Sequence, residues 1–207
     1  MKDKKVYIFI ILLMVSLTFI LVIFNYSKKD YVYLENGIPV INIDNASSIN
    51  QEIKNIYKDK SKNIKYITYT NKNIYSLILD IEEYSEDANE NLKSYISYNI
   101  NLTNNEVITK EDLIKMFNFS VDDIISAATK LLKKYYDEEA SEGYIEKNEC
   151  SFDDYVKYIR EIENLYDDIT LFVKNNELYG YIPFHKNSIF EDSEYFIGKN
   201  DIFEFKI

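Results

Sequence analysis

The chain reads as an α+β protein: a mostly antiparallel sheet packed with helices, preceded by one N-terminal transmembrane helix. Three observations carry that reading. Residues 64–84 and 91–102 alternate apolar and polar positions with period two and are rich in Ile, Tyr and Thr, as half-buried antiparallel strands are. Residues 109–166 switch to helical spacing behind Ser and Thr caps. Strands then resume. Strands and helices thus come in separate runs, which excludes a parallel sheet built from βαβ units.

The leader comes first. "MKDKK" is a basic tail, and Val6–Phe24 is a nineteen-residue run with Ser16 and Thr18 its only polar members. As a helix it spans about 28 Å, close to the hydrocarbon thickness of a bilayer. A cleaved signal peptide has a shorter apolar region and a small-residue cleavage site, and "NYSKKDYVYLENG" offers none. The reading is therefore a signal anchor: residues 1–5 a cytoplasmic tail, 6–26 the membrane span, 27–37 a juxtamembrane stalk and 38–207 an extracytoplasmic domain. Subregions 38–104 and 105–207 meet near residue 105. Lys2, Lys4 and Lys5 face Lys28 and Lys29 across the span, so charge alone does not set orientation. The foldable mass lies after the span, which places the C-terminal domain outside the cell membrane.

Within that domain "GIPVINI" reads as an extended entry, and "SSINQEIKNIYKD" as a helix capped by Ser48 with Gln51 closing a capping box. "IKYITYT", "IYSLILDI" and "KSYISYNINL" are the three strands. "YNINLTNNEVITKEDLIKMF" then holds a strand, a turn at Asn104–Asn105, a short return through Val107 and Ile108, and a helix capped by Thr109. Ser120 caps a longer helix whose stripe is Val121, Ile124, Ile125, Ala128, Leu131, Leu132 and Tyr135. Ser151 caps another, with Phe152, Tyr155, Ile159, Ile162 and Tyr166 on its apolar face. "ITLFVK" and "LYGYIPF" form a hairpin joined through Asn175, Asn176 and Glu177, since Asn tolerates left-handed backbone. "DIFEFKI" closes the chain as a strand.

The net charge is −11, and the leader's +2 leaves −13 on the outer domain. Nucleic acid is excluded as a partner, because its surfaces need clustered Lys and Arg. A single cysteine, Cys150, excludes an intramolecular disulfide.

No catalytic pattern stands out. His185, the only histidine, follows a strand, and neither Ser188, Ser193 nor Cys150 sits in a nucleophile elbow. Asp137, Glu139 and Ser141 begin like a calcium loop, but Glu142 stands where Gly is needed and Asn148 where a bidentate Glu is needed. "FDDY" reads as helix N-terminal charge. Scattered glycines give no phosphate loop, so no cofactor is expected. Asn45, Asn101 and Asn118 head glycosylation sequons that arise by chance in an Asn-rich chain. The twenty tyrosines offer material for a saccharide or protein face, with packing as the default role of each.

"IPVINIDNASSINQEIKNIY", "YSLILDI", "SYNINLTNNEVITKEDLIKMF" and "ITLFVKNNELYGYIPF", in that order, resemble the paired extracytoplasmic domain of unknown function found in membrane-bound peptidoglycan deacetylases and RsiV-like lysozyme-sensing anti-sigma factors of Gram-positive bacteria. The resemblance covers about residues 38–205. It departs at Asn104 and Asn105, where the family has a turn Gly. The short tail has no room to hold a sigma factor, and no deacetylase domain follows. The resemblance implies a membrane-anchored, non-enzymatic binding or sensor domain of the cell envelope. Its partner would be a basic extracellular protein such as a lysozyme, or a cell-wall glycan. The alternatives are a glycan-acting enzyme with paired carboxylates and a membrane scaffold that associates through its anchor.

Overall fold

The computed structural model describes residues 31–85, 90–159, 162–182 and 203–207. Among them it is α+β, with every strand pairing antiparallel. The anchor expected over Val6–Phe24 lies outside the described residues. Among those residues no helix is long and apolar enough to cross a membrane.

The chain divides into two compact units, with the boundary between Asn42 and Ile43. The described part of the first is a hairpin of β1 (Val32–Glu35) and β2 (Ile38–Ile41). Its turn is Asn36–Gly37, both left-handed at φ 53° and 81°, the geometry of a tight two-residue hairpin. Residues 32–35, assigned above to a stalk, are thus a strand; "NG" between apolar pairs was the signal for it.

The second unit begins with α1 (Ser47–Lys58). Here the expected cap is corrected: Ala46 is the N-cap residue, no side chain caps the helix, and Gln51 bonds forward to Asn55 at 3.0 Å. A four-stranded sheet follows, β3 (Lys62–Thr70), β4 (Ile74–Ser85), β5 (Glu90–Asn101) and β6 (Glu106–Ile108), in that spatial order. Asn105 takes φ 59° at the β5–β6 turn.

Thr109 caps α2 (Lys110–Met116), accepting from the Asp112 N–H. Ser120 and Ser151 each build a full capping box, on α3 (Val121–Ser141) and α4 (Phe152–Asp154). The stripe on α3 is Ile124, Ala128, Leu132 and Tyr136, with Val121 exposed. The expected single helix over 152–166 is corrected too. It is a turn of α-helix, then a π turn over Tyr155–Ile159, and a separate α5 at Leu165–Asp168. A second sheet, β7 (Thr170–Lys174), β8 (Glu177–Ile182) and β9 (Phe203–Lys206), ends the chain.

Pairing register sorts each sheet into faces. On the first sheet, Tyr66, Leu77, Leu79, Tyr98 and Ile100 share one face, and Tyr69, Ser76, Ile78, Tyr95, Ser97 and Asn99 the other. α1 lies over the first, where Glu52 neighbours Tyr98 and Tyr57 neighbours Tyr66. The second sheet docks on the other. Strand β4 is consequently buried without interruption from Ile74 to Leu79, rather than on one side as its alternation suggested.

The docking is unusual in its chemistry. β7 is the edge of its sheet, and Leu171 and Val173 turn their outer backbone groups onto the first sheet's polar residues. Ser97 Oγ and Asn99 Nδ2 both donate to the Leu171 carbonyl, at 2.7 and 2.9 Å. The Val173 N–H donates to Ser76 Oγ at 3.0 Å, and that hydroxyl donates to Asn99 Oδ1 at 2.6 Å. Side chains thereby meet outward backbone groups of β7 as a neighbouring strand would.

Helices cover the opposite face of the second sheet. Leu113, Ile124, Ala128 and Leu132 pack there with Leu171, Val173, Leu178, Ile182 and Phe205.

Candidate functional site

At one end of the docked sheets three segments converge. The β3–β4 turn brings Asn71, Lys72 and Asn73, and the end of α2 brings Met116 and Phe117. β7 and its turn supply Val173 and Asn176, with Ile74 at the floor. Together they line an open cleft of about 190 Å³.

Local backbone chemistry sets each wall. Asn175 and Asn176 are both left-handed, at φ 55° and 61°, a two-residue turn, and Glu177, expected in the connection, already belongs to β8. α2 stops at Asn118, φ 58°. The Phe119 N–H reaches back to Ile114 O at 3.1 Å and the Asn118 N–H to Lys115 O at 3.0 Å, a Schellman closure that leaves Met116 and Phe117 at the cleft. Phe119 packs into the same core as Ile114.

An amide clasp fastens the two turns together. Asn71 Nδ2 donates to the Val173 carbonyl at 2.8 Å, and its Oδ1 accepts from the Asn176 N–H at 2.9 Å. Asn176 Oδ1 in turn accepts from the Lys72 N–H at 3.4 Å. The β3–β4 turn is also held from behind, where the Leu102 N–H bonds to Asn73 O at 2.8 Å. Lys72 and Asn73 are exposed, and Met116 is 48% exposed although apolar.

Amides supply a donor and an acceptor on one group, Lys72 supplies a cation, and Ile74, Phe117 and Val173 supply apolar floor. Such a lining suits a small ligand with one polar edge and one apolar face.

The candidate residues that the structure describes lie elsewhere. His185, Ser188 and Ser193 fall outside the described residues. Cys150 is partly buried and its Sγ donates to Ser151 O at 3.6 Å; burial, with Asp154 and Glu139 nearby, pushes its thiol up, away from a reactive thiolate. Asp137 is bound by Lys147 at 2.7 Å and Lys133 at 3.4 Å, and the Lys147 bond holds its carboxyl below the usual range. It is a surface ion pair on α3. The acids of "FDDY" sit in the first turn of α4, Asp154 closing the Ser151 box. Among the described residues no three His, Cys, Asp or Glu side chains could hold a metal ion together.

Tyrosine packing is the dominant use. Tyr95, Phe172 and Tyr181 are buried between the sheets, with Tyr69 and Tyr179 against them. Ring centroids lie 4.7 Å apart for Tyr95–Tyr181 and 4.5 Å for Phe172–Tyr181.

No family model, curated protein or solved structure matches this chain. The cleft itself was not legible in the sequence. "TNKN" reads only as a turn and "KMF" only as a helix end, and nothing local says that residues 71 and 176 meet.

Proposed function

We infer that this is a membrane-anchored, extracytoplasmic binding domain, and that the Asn71–Asn73/Met116–Phe117/Asn176 cleft holds its ligand. The cleft's lining carries this reading: polar amides over an apolar floor, with the exposed thioether of Met116 at one wall. The apolar run Val6–Phe24 supports the anchored half, with the body facing away from the cytosol. The ligand class this lining favours is an amide-bearing cell-wall fragment. An N-acetyl group offers a carbonyl and an N–H to the Asn amides, and a methyl to Phe117 and Met116. A volume of about 190 Å³ takes one such group or one sugar ring rather than a long chain. The role is recognition at the cell envelope.

The test uses the full chain in detergent micelles, titrated with soluble muropeptides by calorimetry. Saturable binding is expected, weakened at least tenfold in Asn73→Ala and Met116→Ala, whose side chains make no bond in the clasp. Absence of binding, or wild-type affinity in both variants, removes the cleft from the proposal. Protease added to intact protoplasts should degrade the C-terminal domain; protection of that domain would reverse the assigned orientation.

A further inference from the structure

β3 is the outer strand of the four-stranded sheet, nine residues from Lys62 to Thr70, paired among the described residues on one side only, with β4. The hairpin fixes which backbone groups remain unused. The Asn71 N–H bonds to Ile74 O at 2.9 Å, so Asn71 and Ile74 form a hydrogen-bonded pair. In an antiparallel ladder every second pair shares that character. Lys65, Ile67 and Tyr69 therefore bond to β4, whereas Ile64, Tyr66 and Thr68 turn their N–H and C=O outward. Among the described residues no main-chain bond meets those outward groups. The register with β4 runs unbroken through all nine residues, so neither bulge nor proline blunts the edge. Tyr66, its midpoint, is 38% exposed.

We propose that this edge pairs with the same edge of a second copy, antiparallel, about a two-fold axis through Tyr66. The strand's own sequence argues for a copy of itself. Centred there, Tyr66 faces Tyr66, Ile64 faces Thr68, Lys65 faces Ile67, and Lys62 faces Thr70. No lysine meets a lysine. The axis also passes through a residue whose groups point outward, and it is the one position that engages the whole strand. Shifting it by one residue leaves two residues at one end of the strand without a partner in the facing strand, and the shift to Lys65 also opposes two ammonium groups. Residues 64–68 alone would contribute about six intermolecular main-chain hydrogen bonds. The two sheets would then run on as one, an isologous contact of the kind two-fold dimers use.

The experiment is light scattering on the full chain in detergent micelles, with the protein mass separated from that of the detergent. The expected protein mass is twice 24.6 kDa. Thr68→Pro removes an outward N–H that β4 does not use, and Tyr66→Lys sets two cations face to face. Each should halve the mass while leaving the far-ultraviolet dichroism unchanged. Should either variant misfold, Tyr66→Cys in a Cys150→Ser background decides: a short bis-thiol reagent should trap a dimer there, and not at Thr103→Cys beyond the end of β5. A wild type of single mass, variants that keep the doubled mass, or equal trapping at both cysteines would overturn the proposal.

Discussion

Asn99 shows how much one side chain can decide. It is buried, it donates to the Leu171 carbonyl and accepts from Ser76, and so it stands in for a missing β-strand. Asn99→Ala leaves a buried hydroxyl and part of a carbonyl unsatisfied. We expect a loss of about 2 kcal/mol in denaturant unfolding, larger than for exposed Asn63→Ala. Gly180 makes a steric case. A Cβ there would sit 2.5 Å from Phe205 Cζ and 3.1 Å from Ile169 Cγ2, both in the buried core. Gly180→Ala should therefore destabilise by about 1–3 kcal/mol through overpacking. Neither residue announced itself in the sequence. Asn99 looked like the polar half of an alternating strand, because alternation says which side a residue faces and not what arrives there.

At the scale of elements, local chemistry and sequence agree well. Thr109, Ser120 and Ser151 were legible as caps because a capping box is closed within four residues and needs nothing from the rest of the fold. Ser48 failed the same test, since its helix enters two residues earlier through Ala46. The helix expected over 152–166 failed for another reason: Tyr155 is wholly buried against Tyr136 and Ile145, and its backbone takes a π turn there. Asn118 ends α2 in the left-handed region, so Asn118→Gly should be neutral or slightly stabilising and Asn118→Ala should cost about 1 kcal/mol, read as melting temperature. Acid supplies a further test. Hydrogen bonds from Ser120 hold Asp123 below the usual carboxylate range, as those from Ser61 hold Asp59. A depressed carboxylate contributes stability that is complete above its unfolded value, about 4, and is lost as pH falls through the folded value. Melting temperature should drop on acidification below that point, and Ser120→Ala should make the drop shallower.

At the scale of the whole molecule, the tyrosines between the layers report on integrity. Burial foremost pushes the phenols of Tyr95, Tyr98 and Tyr181 well above their ordinary value, with Asp80, Glu52 and Tyr69 respectively adding to it. Folding then holds protons that the unfolded chain would release above about pH 10, so this contribution is present below that value and lost as pH rises. An alkaline absorbance titration read alongside near-ultraviolet dichroism tests this. A late class should appear only together with the loss of near-ultraviolet dichroism. A single smooth titration of all tyrosines would contradict the layered core.

What the chain's order of residues determined unaided were features closed over short range. These are the period-two strands, the caps, the Asn turns and the segregation of strands from helices that makes the protein α+β. What only tertiary structure decided was long range: that β7 lays its edge on Ser76, Ser97 and Asn99, and that Asn71 clasps a turn more than a hundred residues away. Periodicity is a property of one segment, whereas a hydrogen bond between distant segments depends on how loops close and layers stack. That is why the scaffold could be read before the cleft could.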